Sequence, residues 1–243
     1  MKFRIAVTIL VAASTSVASA ASIAWSMSPA VDASEVNNSG TVQWAYAFNS
    51  ALSDPVTVNG VTFTRLNTGG AGGAMADANA MTPGFERQGG TSYGEFSDDF
   101  YLGPDASLNQ LLDGLTWGGT DQFRLNNLTP GVIYTVQLFS SDDRSTQTAR
   151  VLDLDSNWGT PNGSRQLEDI DYTAGGPWTD PAGRSKIFTG TFTADAAFQD
   201  ILAPLNNGTG QIDLNAIQLR IPEPAGALLL GLTGILGLMR RRR

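Results

Sequence analysis

Short runs of β-branched and aromatic residues, separated by clusters of Gly, Asn, Asp and Pro, extend from residue 22 to residue 220. Very little of this stretch repeats at the helical period. Such a pattern is typical of an all-β protein in which turns join short strands. We therefore predict a single β-sandwich domain, jelly-roll-like in architecture, with about nine or ten strands.

Two segments show this pattern most clearly. In residues 41–48 the large apolar side chains occupy every second position, as expected for a strand with one face in the core. In residues 56–63 two alternating runs flank Asn59-Gly60, a pair that tolerates the positive φ angles of a type I′ turn. The first segment predicts a core strand, and the second predicts a β-hairpin. Further strands are predicted at residues 122–128, 132–139, 150–154, 185–193, 198–203 and 210–221.

One segment has helical periodicity instead. The leucines from Leu108 to Leu115 follow the spacing i, i+3, i+4, i+7, and either Asp105 or Ser107 precedes the run as a candidate N-cap. This spacing predicts one short helix.

The N-terminus carries the features of a secretory signal peptide. Lys2 and Arg4 precede an apolar run at residues 5–11, and Ala18-Ser19-Ala20 supplies the small residues that signal peptidase requires near its cleavage site. We predict that residues 1–20 form a signal helix that signal peptidase removes. Residues 21–220 then form one exported domain, since about 200 residues are enough for a single core.

The C-terminus, residues 221–243, combines a short motif, an apolar run at residues 225–239 and a cluster of four arginines. As a helix the run would be about 22 Å long, which is short for a hydrocarbon core of about 30 Å. Cationic residues favour the cytoplasmic side of a membrane. We therefore predict a short transmembrane helix that leaves the acidic domain outside. The predicted membrane stop consists of Arg240, Arg241, Arg242 and Arg243.

This C-terminal arrangement resembles the PEP-CTERM sorting signal of Gram-negative bacteria. The resemblance implies that the chain is a substrate of an exosortase, a membrane transpeptidase similar to cysteine proteases, with Pro222, Glu223 and Pro224 as recognition residues. The precursor would be anchored transiently in the inner membrane, and the mature form would reach the cell envelope, the cell surface or the extracellular matrix. An ordinary single-pass anchor is the alternative.

The middle of the chain resembles galactose-binding-like and malectin-like sandwich modules. The similarity lies in three segments, at residues 128–144, 190–194 and 214–219. It implies a β-sandwich ectodomain. Because these segments describe strands, the resemblance bears on the fold more than on a ligand.

The composition excludes several classes of function. The chain has no cysteine and no histidine, which removes disulfides, thiol nucleophiles, Ser-His-Asp chemistry and imidazole metal ligands. Of its 15 basic residues, six lie in the terminal segments, whereas 22 of its 23 acidic residues lie between positions 21 and 220. A surface this acidic repels nucleic-acid phosphates. We therefore predict a protein that binds no nucleic acid and is not an enzyme.

Two long segments, residues 67–90 and 157–184, are rich in Gly and are predicted to be loops. The second contains Trp158, Tyr172 and Trp178. Because sugars stack on aromatic rings while polar groups bind their hydroxyls, these residues form a candidate carbohydrate platform. The alternative is that they anchor the loop to the core.

Acidic clusters suggest two further kinds of chemistry. Asp153, Asp155 and Asn157 place oxygen ligands at alternate positions, which a calcium site could use, although an acidic turn at a sheet end explains them as well. No other cofactor is predicted. Glu168 and Asp169 belong to a further carboxylate cluster on a predicted loop, whose charge a divalent ion would relieve; the alternative is solvated loop charge. Paired carboxylates also permit glycoside hydrolysis without histidine, but no motif singles out a pair in this sequence.

These observations favour an exported protein of the cell envelope or extracellular matrix, sorted through its C-terminal tag, that binds polysaccharide, for example exopolysaccharide, through its sandwich loops. The alternative is a carbohydrate-active enzyme or its carbohydrate-binding module.

Overall fold

The computed structural model describes residues 21–48, 54–66, 84–87, 91–94, 105–117, 122–141, 150–154, 166–170, 185–202 and 214–223. Within these ranges the chain consists mainly of β-strands, with one short α-helix and one 3-10 turn at residues 33–35. The predicted signal helix and the predicted apolar C-terminal helix lie outside the described ranges. Among the residues within them, no helix has the length and apolar character needed to cross a membrane.

The described strands, numbered in chain order, are β1 Ala24–Pro29, β2 Thr41–Phe48, β3 Val56–Val58, β4 Val61–Leu66, β5 Phe85–Arg87, β6 Thr91–Gly94, β7 Gly114–Trp117, β8 Gln122–Asn126, β9 Ile133–Ser141, β10 Arg150–Leu154, β11 Gln166–Ile170, β12 Ser185–Thr193, β13 Phe198–Leu202 and β14 Ala216–Ile221. The helix, α1, is Ala106–Leu112. A seven-stranded main sheet has the order β1-β12-β9-β14-β2-β4-β3, and a three-stranded sheet has the order β13-β8-β5. The pairs β10-β11 and β6-β7 form two-stranded ribbons. The β2–β4 pair is parallel.

One face of the main sheet packs against the three-stranded sheet. In β9 the side chains of Tyr134, Val136 and Leu138 lie in a buried cluster that also contains Leu125 of β8 and Ile201 of β13. Alternate residues of one strand reach this cluster because successive side chains of a strand point to opposite faces. Two sheets that share an apolar interior form a sandwich, so the predicted all-β sandwich with one short helix is confirmed.

The opposite face of the main sheet packs against α1. Phe139 of β9 and Phe63 of β4 meet edge to face, with ring centroids 5.7 Å apart. Both rings belong to a second buried cluster with Leu108, Leu111 and Leu112 of the helix. The i, i+3, i+4 spacing therefore serves to bury one face of α1.

The turn between β3 and β4 forms as predicted. Asn59 has φ 48° and Gly60 has φ 76°, both in the left-handed region that a type I′ turn requires. The Nδ2 of Asn59 also donates to the carbonyl of Val36 at 2.7 Å, which attaches the hairpin to the preceding segment.

Helix α1 is bounded by side-chain contacts at both ends. Oδ1 of Asp105 accepts hydrogen bonds from two backbone N–H groups of the first turn at 2.9 and 3.0 Å, so Asp105 is the N-cap. The buried side chain of Asn215 donates to the carbonyls of Leu112 and Gly114 at 2.9 Å each. The prediction that Leu115 belongs to the helix is wrong. Leu115 lies in β7 because the chain leaves the helix after Leu112 and pairs with β6.

A buried polar cluster holds residues 35–40 against the second face of the main sheet. We call Gln137, Gln218 and Arg220 the polar seam. Nε2 of Gln218 donates to Oε1 of Gln137 at 2.5 Å and to the carbonyl of Asn37 at 3.1 Å. Arg220, 3% exposed, donates to the carbonyls of residues 38–40 at 2.7 to 2.9 Å. These buried polar groups are tolerated because each of their hydrogen bonds replaces one that the group would make to water.

Three predictions about local structure are wrong. The described part of the chain alone contains 14 strands, more than predicted. The segments 67–90 and 157–184 are not loops throughout, because they contain β5 and β11. Consequently Glu168 and Asp169 lie on a strand, opposite Leu152 and Val151 of β10, and not on a loop. Acidic residues have low β-propensity, so only the pairing with β10 makes this segment a strand.

Candidate functional site

A groove opens between the two sheets at the end of the sandwich where β2 and β9 begin and where β8 and β14 end. Its volume is about 180 Å³. The lining, which comes from five separate parts of the sequence, consists of Gln43, Trp44, Gly84, Asn126, Asn127, Leu128, Tyr134 and Leu219. We call it the Trp44 groove. Because its walls are distant in sequence, the site exists only in the folded chain.

Trp44 forms the aromatic wall of the groove. Its ring stacks on the ring of Tyr46, with centroids 5.4 Å apart and planes inclined by 20°. It also contacts Phe85 of β5 at a centroid distance of 5.8 Å. Tyr46 is buried and lies two residues further along β2, so it covers the inner face of the indole.

Gly84 allows the indole to lie directly against the backbone before β5. The φ angle of Gly84 is 96°, and a Cβ at this position would lie 2.7 Å from Cδ1 of Trp44. Both the backbone conformation and the space therefore require glycine. The carbonyl of Gly84 accepts a hydrogen bond from the backbone N–H of Asn126 at 2.8 Å, which joins the aromatic wall to the polar wall.

Gln43, Asn126 and Asn127 supply the polar wall. Gln43 and Asn127 are exposed, and Asn127 has φ 61°, a conformation that Asn adopts more readily than most residues. The turn that follows β8 is held by the hydroxyl of Tyr134, which accepts a hydrogen bond from the backbone N–H of Thr129 at 2.9 Å. The lining thus presents three side-chain amides, each able to donate and to accept hydrogen bonds.

The part of the groove lining that the structure describes contains no carboxylate and no cation, since none of these eight residues is Asp, Glu, Lys or Arg. An aromatic ring beside several amides suits a neutral ligand with one apolar face and several hydroxyl groups. Glycoside hydrolysis uses two carboxylates that flank the scissile bond, and this lining offers none. The arrangement can therefore bind such a ligand, but its own residues supply no acid or base for that reaction.

The predicted carbohydrate platform, Trp158, Tyr172 and Trp178, lies outside the described residues. The same holds for Asp155 and Asn157 of the predicted calcium site. Asp153 lies in β10 opposite Leu167. In the ranges that the structure describes, no group of three or more acidic residues is close enough to hold a metal ion. Both sites stay predictions.

Two residues of the predicted sorting motif lie within the described part of the chain. Pro222 is half-buried and Glu223 is exposed, and both follow β14 directly. Gly40, with φ 75°, lies so close that a Cβ there would be 2.9 Å from the Cα of Pro222. Pro224 and the arginines Arg240 to Arg243 lie outside the described residues. The motif therefore begins where the chain leaves the main sheet.

Sequence analysis missed the Trp44 groove. The alternation places Trp44 on the core face of a strand, and this is confirmed, because Trp44 packs, partly buried, against the same cluster as Tyr46 and Phe48. The alternation does not show that this ring also borders a groove. The sequence contains a partial indication of the groove, namely polar residues near strand ends. These are Asn126 and Asn127, which precede a turn, and Gln43, which precedes an aromatic residue. Only the pairing of the strands shows that these positions meet.

The outer face of the three-stranded sheet carries a separate ion pair. Nε and Nη2 of Arg124 donate to Oδ1 and Oδ2 of Asp200 at 2.6 and 3.0 Å. The guanidinium also lies 4.4 Å from the ring centroid of Phe198, which is 42% exposed. The hydrogen bonds that Arg124 donates to the Asp200 carboxylate raise the pKa of Arg124. This bidentate pair links β8 to β13, and we assign it a structural role.

No protein-family model matches the chain, and no curated protein matches it either. Among solved structures, the chain is similar to a calcium-binding mutant of Bacteroides uniformis beta-glucuronidase 2, with 18% sequence identity and a TM-score of 0.47 over 74% of this chain. The chain spans only 18% of the length of that protein. Because one fold can host many unrelated functions, this similarity assigns no activity to the chain.

Proposed function

We propose that this chain is an exported, non-catalytic β-sandwich protein that binds saccharides of the cell envelope or extracellular matrix and is sorted there through its C-terminal tag. The observation that carries the binding function is the Trp44 groove, which an indole ring and three side-chain amides line at one end of the sandwich. A pyranose ring has an apolar face that stacks on an aromatic ring, and its hydroxyls are bound by amides.

A role in binding, not catalysis, is supported by the chemistry of the groove and by the composition. The chain contains no histidine and no cysteine, and the eight described residues of the groove lining include no carboxylate. These eight residues therefore offer none of the groups that most hydrolases use as general acid, general base or nucleophile.

The proposed sorting is supported by the sequence of residues 221–243 and by the position at which the domain ends. β14 lies in the middle of the main sheet, between β9 and β2, and the chain leaves it at Ile221. Glu223 is exposed two residues later. A processing enzyme such as an exosortase would meet the motif without having to unfold the sheet. The same arrangement would serve a transient anchor in the inner membrane.

The binding function is tested by a pull-down of the purified protein on insoluble and immobilised polysaccharides, with Trp44→Ala as the test variant. We expect the wild type to be retained and Trp44→Ala to be lost. Trp44→Phe, which keeps an aromatic face, should be retained, and this variant separates stacking from folding. The matched control is Gln110→Ala on the exposed face of α1, which should behave as the wild type. Release of soluble sugar by the wild type would instead show that the protein is a carbohydrate-active enzyme.

The sorting function is tested by the intact mass of the mature protein from its native host. We expect a species that begins after Ala20 and lacks Arg240 to Arg243. Substitution of Glu223 by Ala should leave the tag attached in the membrane fraction. An untrimmed polypeptide in the cytosol would contradict export.

A further inference from the structure

The lining of the Trp44 groove restricts the kind of saccharide beyond the general proposal above, on which this inference rests. Charged sugars such as uronic acids bring a carboxylate that must be paired when water is removed. None of the eight lining residues carries a positive charge. The domain around the groove is strongly acidic, since 22 of the 23 acidic residues lie between positions 21 and 220. Both facts disfavour an anionic ligand.

The size of the groove restricts the ligand further. Sites for drug-sized ligands have volumes of roughly 300 to 1,000 Å³. The Trp44 groove, at about 180 Å³, is smaller than this range. Its described lining includes Gly84, where the indole lies against the backbone, and the buried side chains of Leu128 and Leu219. A single sugar ring is a ligand of this size, whereas several consecutive rings of a chain would extend beyond the walls.

Gln43, Asn126 and Asn127 line the same groove as Trp44, so side-chain amides and the indole border one space. Asn126 and Asn127 follow one another at the end of β8, and Gln43 directly precedes Trp44 in β2. The left-handed conformation of Asn127 is part of the turn that the Tyr134 hydroxyl holds, so this amide belongs to an ordered segment. Pre-organised polar groups lower the entropic cost of binding.

We propose that the Trp44 groove binds a single neutral sugar ring, at the end of a glycan or on a side branch, by stacking on Trp44 and by hydrogen bonds to Gln43, Asn126 and Asn127. The groove distinguishes neutral from acidic sugars through its uncharged lining. It distinguishes chain ends from chain interiors through its size.

The test uses calorimetry on the full chain with the methyl glycosides of glucose, galactose and mannose, the corresponding uronates, and neutral oligosaccharides of one to six units. At least one neutral glycoside should bind, its uronate should bind about tenfold more weakly, and oligosaccharides of that sugar should bind no better than the single unit. Added salt should not change the affinity for the neutral sugar, because no ion pair forms.

Two variants at one exposed position provide the sharpest control. Gln43→Ala should weaken binding of the neutral glycoside about fivefold by removing one hydrogen bond. Gln43→Arg should raise the affinity for the uronate, because it adds the cation that the lining lacks. Gln110→Ala should change neither affinity. Asn127→Gly, which accepts the positive φ, removes a second amide without straining the backbone.

The outcomes separate this inference from the proposed function. Equal or tighter binding of uronates, or affinity that rises steadily with chain length, would overturn the inference, while dependence on Trp44 would still support saccharide binding. The absence of binding to every neutral and acidic saccharide, or binding that Trp44→Ala leaves unchanged, would overturn both.

Discussion

Arg220 is a buried cation whose described hydrogen-bond partners are neutral. Its guanidinium donates to three backbone carbonyls and, at 3.2 Å, to Oε1 of Gln218. Burial lowers the pKa of Arg220. The planar fork of donors fits the carbonyls of residues 38–40, which approach it from one side. In this way the final strand of the domain holds the segment that precedes β2.

Replacement of Arg220 tests this contribution to stability. Arg220→Met should lower the free energy of unfolding by about 3 kcal/mol, because several buried carbonyls lose their donors. Arg220→Lys should lower it by less, since the ammonium keeps the charge but cannot reach all the carbonyls. Urea denaturation measures both changes. Equal stability of Arg220→Met and the wild type would show that water satisfies the carbonyls.

Gly190 is needed for its small size. It lies in β12 opposite Trp25 of β1, and a Cβ at this position would be 2.7 Å from Cζ3 of Trp25 and 2.6 Å from Cγ2 of Ile23. The indole therefore covers the glycine and takes the place of its missing side chain.

Gly190→Ala should displace Trp25 and lower the free energy of unfolding by about 2 kcal/mol, as is usual for overpacking a core. Thr191→Ala, at the exposed neighbouring position, should stay within about 0.5 kcal/mol of the wild type. Urea denaturation compares the two variants. A Gly190→Ala protein as stable as Thr191→Ala would mean that the indole moves without cost.

At the scale of elements, Asp105 joins α1 to the segment before β2. Besides capping the helix, its Oδ2 accepts a hydrogen bond from the backbone N–H of Ala33 at 3.1 Å. The hydrogen bonds from Ser107, Leu108 and Ala33 lower the pKa of Asp105 below its ordinary value of 3.8. One ionised carboxylate therefore holds both the helix and the 3-10 turn at residues 33–35.

A carboxylate with a lowered pKa stabilises the fold above its unfolded-state pKa and loses this effect as the pH falls through its folded-state pKa. Asp105→Ala should therefore destabilise the protein by about 1 kcal/mol at pH 7. The difference from the wild type should shrink below the ordinary pKa of 3.8. Asp105→Asn keeps a capping oxygen, so its stability at pH 7 should lie between those of the wild type and Asp105→Ala. Urea denaturation from pH 2.5 to 7 measures the stability of each variant relative to the wild type. A stability difference that does not change with pH would contradict the role of the Asp105 charge.

At the scale of the whole molecule, the predicted calcium site is tested by thermal unfolding. An ion that binds only the folded state raises the melting temperature of the domain. We expect millimolar calcium to raise the melting temperature over that in chelator, and Asp153→Ala to abolish the rise. Magnesium serves as the control for a general effect of divalent charge on an acidic protein. The same melting temperature in calcium and in chelator would remove the calcium site.

The sequence was sufficient to predict local structure wherever that structure depends on residues within one segment. Alternation in residues 41–48 is enough to predict β2, because the side-chain period of a strand is a property of the backbone. The Asn59-Gly60 turn and the Asp105 cap were likewise predictable, since each depends on residues a few positions apart.

The structural features that could not be predicted from local sequence depend on contacts between distant segments. β11 is a strand because β10 pairs with it, although its acidic residues disfavour that conformation. Leu115 belongs to β7 and not to α1 because β6 offers a partner. The absence of cysteine and histidine and the acidic composition of residues 21–220 were evident from the sequence alone. The Trp44 groove was not, because its aromatic ring, its glycine and its amides come from five places in the chain that only the packing of two sheets brings together.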